Sequence, residues 1–130
     1  MRFVLLDAKA VIFMHDEILK QGKGLPGVSG DKSLEAALHR IEARDHYESL
    51  DDVFEVAAFY GICIAQGHLF VDANKRTAFM SMYVFLEING YSLIASDYNT
   101  ENEEMMEKIV KKEINEKQLA DWLRRNSKQK

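Results

Sequence analysis

The sequence predicts a mainly α-helical fold, a bundle built around one buried central helix with at most a short, minor β pairing. Three observations carry that expectation. Thr77-Ala78-Phe79-Met80-Ser81-Met82-Tyr83-Val84-Phe85-Leu86-Glu87-Ile88 is apolar on nearly every face, the pattern of a helix enclosed by other elements. Helix-start signals stand ahead of further apolar runs at Asp7, Asp31, Asp52 with Glu55, Thr100 with Glu103, and Asn115 with Gln118. Tyr91-Ser92-Leu93-Ile94 reads as a short strand, with Phe3-Val4-Leu5 as its expected partner.

Taken in order, Asp7 caps a first helix to about Lys20, with Ala10, Val11, Phe13, Met14 and Ile18 as its buried stripe. Gly22, Gly24, Pro26, Gly27 and Gly30 end it. Asp31 opens a second helix through Leu34, Ala37, Leu38 and Ile41, with Arg40 and Arg44 on a shared face. Asp52 and Glu55 start a third, carrying Phe54, Ala57, Ala58, Ile62 and Cys63 towards His68. The central helix stops at Asn89-Gly90, a pair suited to the left-handed conformation. Two more helices follow from Thr100 and Asn115, the last ending near Trp122-Leu123, and the tail from Arg124 to Lys130 is expected to fray.

Composition fits one domain over residues 1–130. A chain of this length buries about two thirds of its unfolded surface, and with 47% hydrophobic residues one ordinary core suffices. The single cysteine, Cys63, excludes an intramolecular disulfide and reads as a small core residue. Met1-Arg2-Phe3-Val4-Leu5-Leu6-Asp7 meets charge too soon for a signal peptide, and no apolar run reaches the ~20 residues of a membrane span, so a cytoplasmic protein without membrane partners is expected. The net charge of −4 argues against general nucleic-acid binding.

The chemistry concentrates in His68-Leu69-Phe70-Val71-Asp72-Ala73-Asn74-Lys75-Arg76, the connection that opens the central helix. The first N–H groups of a buried helix need partners, and its dipole places about half a positive charge at that end. With Lys75 and Arg76 alongside, the loop is an anion site suited to a phosphate chain. Asp72 suits a magnesium ion on that chain, and His68 suits a base for an incoming hydroxyl. Phe70 is expected to be structural, pinning the loop into the core so that its amides face outward.

This run resembles the signature of the Fic/Doc superfamily, His-x-Phe-x-Asp/Glu-Gly/Ala-Asn-Gly/Lys-Arg, at every specified position. Ala73 and Lys75 give it the form of the death-on-curing (Doc) toxins. His15-Asp16-Glu17, the Gly22-to-Gly30 segment, Leu34-Glu35-Ala36-Ala37-Leu38 and Asp52-Val53-Phe54-Glu55 are similar to the Doc pattern as well. The resemblance implies a Fic/Doc-type helical bundle. It also implies a toxin of a type II toxin-antitoxin system that uses ATP and Mg2+ to phosphorylate a threonine of translation elongation factor Tu, blocking translation, and that a small antitoxin inhibits in trans. His68, Lys75 and Arg76 would be catalytic, Asp72 would hold the metal, and Asp72, Ala73, Asn74, Lys75 and Arg76 would bind nucleotide phosphates.

Two departures from nucleotidyl-transferring Fic enzymes favour the kinase expectation. Phe79 stands where those enzymes carry a second arginine, and the nearest match to their inhibitory Ser/Thr-x-x-x-Glu-Gly/Asn helix, Thr100 to Glu104, continues with Met105. Self-inhibition is therefore not expected. Protein AMP transfer by the same residues is the alternative chemistry, and a catalytically idle peptide-binding module is the alternative of another class.

Plainer roles stand beside these. His68 suits a helix C-cap, Asp72 a turn, Asn74 a cap of the central helix, and Lys75 and Arg76 a charged surface. The spacing of His68 to Asp72 and Arg76 favours the functional roles. Gly22-Lys23-Gly24-Leu25-Pro26-Gly27 lacks Walker spacing and reads as a turn or flap beside the site, similar to the region that docks the target in this superfamily. His15, His39 and His46 read as ordinary surface or packing histidines, and Met80, Met82, Met105 and Met106 as core filler or contact surface.

Overall fold

The computed structural model of the protein describes residues 3–22, 24–27, 34–48, 50–94 and 100–130. Its elements run α1 (Ala8–Gln21), α2 (Leu34–Glu48), α3 (Val53–Gly67), α4 (Asn74–Ile88), β1 (Tyr91–Leu93), α5 (Thr100–Val110), α6 (Glu116–Arg125) and β2 (Ser127–Gln129). The mainly helical expectation holds. Helix α4 lies at the centre, packed against α1, α3, α5 and β1, with Ala78, Phe79, Met82, Phe85 and Leu86 buried.

The tightest packing is between α3 and α4, and small residues make it so. Ala57, Ala58, Ala65 and Ala78 are fully or almost fully buried. At Gly61 an added Cβ would lie 2.4 Å from Met82 Sδ, so the two helices meet there at a distance no larger side chain allows without repacking. Helix α6 closes α3 from another side with Leu119, Ala120, Trp122 and Leu123. On α2, Arg44 pairs with Glu48 and with Glu116 of α6. Cys63 is half-buried against the core, where burial pushes its thiol up in pKa, away from the reactive thiolate.

Helix ends follow the expected capping chemistry with some changes. Asp7 accepts from Ala10 N–H at 2.9 Å, and Asn115 with Gln118 forms a full capping box. Asp52 caps α3 through Phe54 N–H rather than through a box with Glu55. Thr100 is the first helical residue of α5, one step inside the cap position expected of it. The Asp31 cap lies outside the described residues. At the end of α4, Gly90 takes the positive φ of +97°, whereas Asn89 stays at −109°.

Two expectations are corrected at the chain ends. The partner of β1 is β2, antiparallel with Tyr91 opposite Gln129 and Leu93 opposite Ser127, so the tail expected to fray forms the second strand. The backbones of Val4 and Leu6 bind side chains instead of a strand. Asn89 accepts from Val4 N–H at 2.8 Å and donates to Val4 O at 2.9 Å, which leaves no ladder for Tyr91 to extend. The buried Tyr60 hydroxyl accepts from Leu6 N–H and donates to Leu6 O, and burial pushes its pKa up to about 12. Phe13, expected in the buried stripe of α1, is 65% exposed, and His15 is buried there instead. Among the described residues, no helix is long and apolar enough to cross a membrane.

Candidate active site

Helix α3 ends at Gly67, and His68 follows in the left-handed conformation at φ 49°. Such a residue turns the chain out of the helix, and histidine tolerates it better than branched residues do. His68 is thus the C-cap of α3 and, on the same account, an exposed ring at the mouth of a cavity of about 390 Å³. That volume falls in the range of small-molecule sites, about 300–1,000 Å³.

The next residues are tied down individually. Phe70 is buried, as expected of a pin. Asn74 brackets its peptide groups, accepting from Phe70 N–H at 3.0 Å and donating to Phe70 O at 2.9 Å. This corrects the expected cap role of Asn74. It is the first residue of α4, and the N-cap is Ala73, at φ 65° and without a side-chain cap bond. Val71 N–H donates to Gly27 O at 3.0 Å, and Leu25 N–H reaches Asp72 Oδ2 at 3.3 Å, so the described part of the glycine-rich loop is a bonded neighbour of the site.

Asp72 is exposed, with Oδ1 accepting from Ala73 N–H at 2.8 Å. The Ala73 N–H above all, and then the Leu25 N–H, hold its carboxyl below the usual carboxylate range. Ala73 supplies no side-chain cap, and the first turn of α4 places its N–H groups at the helix's positive end. Arg76 lies beside Gly22, where an added Cβ would sit 2.9 Å from Nη1, so the missing side chain makes room for the guanidinium.

The opposite wall was not foreseen. Lys75 Nζ donates to Glu103 Oε1 at 2.8 Å and to Glu107 Oε2 at 2.6 Å, both from α5. These two hydrogen bonds raise the Lys75 pKa. Lys75 therefore meets two carboxylates in the free protein, where the sequence suggested a cation open to phosphate. Glu104, at the position of the inhibitory pattern, is exposed and outside the cavity lining.

The cavity brings together His68, Asp72, Ala73, Asn74, Lys75 and Arg76, with Phe70 buried beneath them. Phe79 is buried in the core of α4 and supplies no cation. Sequence reasoning missed Glu103, Glu107 and His15. The last is 2% exposed and stacked on Phe70, with ring centroids 3.9 Å apart. His39 and His46 are exposed, as read.

The donor set fits magnesium carried by a nucleotide. Among the described residues, no group of three or more His, Cys, Asp or Glu side chains converges on a metal position, so the protein offers no all-protein cage. Asp72 is an exposed carboxylate on the loop wall, held below the usual carboxylate range, and beside an anion site such a group suits a magnesium ion whose shell phosphates complete. The cavity's charges agree. Among the described residues that line it, Asp72, Glu103 and Glu107 oppose Lys75 and Arg76, so a polyphosphate entering this space is favoured by a cation carried with it.

Fold and loop together define a family. The Fic/DOC family model matches residues 5–86, and the chain belongs to that family. Within it, the chain is 38% identical over 120 residues to the "Protein kinase doc" of Escherichia phage P1, covering 92% of this chain and 93% of that protein. It is 30% identical over 89 residues to the "Toxin Doc" of Mycolicibacterium smegmatis, covering 67% of this chain and 68% of the relative.

Proposed function

We propose that this protein is a Doc-type toxin that acts as a protein kinase, moving the γ-phosphoryl group of ATP to a hydroxyl of a protein target. The observation that carries the reading is the convergence of His68, Asp72, Lys75 and Arg76 on one cavity at the N-terminus of a buried helix. The printed name of the phage P1 relative supports kinase chemistry, and that of the M. smegmatis relative supports a toxin. On the family resemblance, the target is a threonine of elongation factor Tu, the setting is the cytoplasm, and an antitoxin covers the site in trans.

His68 takes the proton from the attacking hydroxyl as the new oxygen–phosphorus bond forms and the bridging bond to the β-phosphate breaks, releasing ADP. Arg76, Lys75 and the first-turn amides of α4 bind the transferring phosphoryl oxygens and stabilise charge that grows in the transition state. Asp72 would hold magnesium, which supplies neutralisation of phosphate charge when bound. Lys75 must exchange Glu103 and Glu107 for phosphate oxygens to take part.

The buried Phe79 also favours γ-phosphoryl transfer over AMP transfer, since it supplies no cation at the position where nucleotidyl-transferring relatives carry a second arginine. ATP labelled separately at the α and γ positions decides the matter in a bacterial lysate. Label from the γ position alone should appear in a protein, with a mass increase of one phosphoryl group. Label from the α position would overturn the kinase reading in favour of adenylylation, and no transfer of either would favour an idle binding module.

A further inference from the structure

We propose that His15 is a positioning residue for Asp72, setting the direction of its carboxylate through the Asp72 backbone. The inference rests on the reading of Asp72 as the carboxylate that faces magnesium and phosphate. His15 lies on α1, 57 residues from its hydrogen-bond partner, and is 2% exposed. A histidine so placed needs a polar partner.

Nε2 of His15 lies 2.9 Å from Asp72 O. A carbonyl oxygen only accepts, so the ring nitrogen facing it carries a proton, while Nδ1 on the other side lies 3.5 Å from Asp16 Oδ1. The ring lies nearly parallel to Phe70, 3.9 Å between centroids with 10° between planes, so its rotation is fixed as well. The proton on Nε2 therefore points in one direction.

The consequence reaches the cavity through one peptide unit. In a planar trans peptide the C=O and N–H point opposite ways. Drawing Asp72 O towards the buried His15 turns Ala73 N–H outward, where it donates to Asp72 Oδ1 at 2.8 Å. Leu25 N–H holds Oδ2 from the other side at 3.3 Å. Ala73 sits at φ 65°, a conformation an L-residue adopts only when its surroundings impose it, and the His15 bond is one such restraint. Release of the Asp72 carbonyl would let this peptide rotate and the carboxylate swing from the direction its amides now fix.

Two substitutions separate the bond from the ring. His15→Phe keeps an aromatic on Phe70 and removes the donor. His15→Gln keeps an N–H donor and removes the ring. With Mn2+ and ATP as the probe, followed by the paramagnetic signal of bound manganese, His15→Phe should weaken metal–nucleotide binding by about 10–100-fold, the usual cost of losing an outer partner of a metal ligand. His15→Gln should recover most of it. In the same proteins, exchange of the Ala73 amide should quicken in His15→Phe and stay slow in His15→Gln. Unchanged metal binding and unchanged Ala73 exchange in His15→Phe would overturn the proposal and leave His15 as packing.

A measurement on the unaltered protein guards against a variant that does not fold. NMR of the imidazole nitrogens should show His15 with its proton on Nε2 and slow to exchange, whereas a proton on Nδ1 alone would refute the geometry. None of these readouts needs phosphoryl transfer. Absence of kinase activity would therefore count against the proposed function without touching the role of His15.

Discussion

The cavity has two walls, and they are built in opposite ways. The His68–Arg76 wall is an irregular loop whose residues are fastened individually, three by partners far away in sequence, with His15 on Asp72 O, Leu25 on the Asp72 carboxylate and Gly27 on Val71, and one from within, with Asn74 across the Phe70 peptide. The α5 wall is a regular helix. Met106 and Ile109 are fully buried, Gln66 of α3 donates to Ile109 O at 2.9 Å, and Glu103 and Glu107 face the cavity simply because they are four residues apart on one face. The first wall carries the reactive groups and the second sets the charge they meet. A basic loop is turned into a nearly balanced site by a helix that lies beyond the residues the family model matches.

If the loop wall alone carries the chemistry, the largest effect comes from His68. His68→Ala should reduce transfer by about 10²–10⁴, the usual contribution of a general base, with the helical circular dichroism signal unchanged because the ring is exposed. Near-normal transfer by a folded variant would move the chemistry off this wall altogether.

Lys75 belongs to both walls, and its replacement comes next. Lys75→Gly removes a donor to the transferring group and should lower γ-phosphoryl transfer by about a hundredfold. It also leaves Glu103 and Glu107 facing the site without their ammonium partner, so ATP should bind more weakly as well. Mass spectrometry of the modified target should still find phosphoryl groups, since Phe79 supplies no second cation. A switch to adenylyl groups would show that Lys75 alone selects the reacting phosphate.

These two walls also differ in how far the sequence revealed them. The motif spacing placed His68, Asp72, Lys75 and Arg76 in one loop, and the apolar run of α4 placed that loop at a buried helix end, so the gathering of these residues was legible from local pattern. What failed was long-range. Glu103 reaches Lys75 across 28 residues and His15 reaches Asp72 across 57, and nothing in either local sequence announces the meeting. His15-Asp16-Glu17 did stand out by family resemblance, yet His15 read only as a surface or packing histidine and lay outside the apolar stripe expected of α1. The β pairing failed for a related reason: Phe3-Val4-Leu5 was the expected partner and the tail was expected to fray, whereas Asn89 bonds Val4 and the edge of β1 is taken by Ser127-Lys128-Gln129.

The acidic wall can be tested with the basic loop left intact. The double substitution Glu103→Gln and Glu107→Gln preserves side-chain shape, removes both negative charges, and frees Lys75 from two ion pairs that are exposed enough to be weak. ATP affinity, measured by calorimetry, should rise by about twofold to fivefold, on the scale of such pairs. A fall in affinity would mean that the carboxylates hold Lys75 in its working position rather than compete with phosphate for it.

The smallest effect compares backbone strain on the two walls. Ala73, which caps α4, and Lys112, just past the end of α5, are both left-handed, at φ 65° and 60°. Lys112 ends its helix in a Schellman motif, with Glu113 N–H on Lys108 O and its own N–H on Ile109 O, the position where glycine is usual. Glycine there relieves roughly 1–2 kcal/mol of left-handed cost and loses roughly 0.4–1 kcal/mol to the freer unfolded chain. Lys112 is exposed, so little else changes, and Lys112→Gly should stabilise the protein by about 0.5–1 kcal/mol in chemical denaturation. Ala73 differs because its methyl group is buried, and losing it costs about 0.8 kcal/mol more. Ala73→Gly should therefore leave stability within about 0.5 kcal/mol of the starting value, despite a similar φ. If Ala73→Gly instead stabilised the protein more than Lys112→Gly, the loop wall would hold more strain than its φ accounts for, and the bond from His15 would be the first restraint to examine.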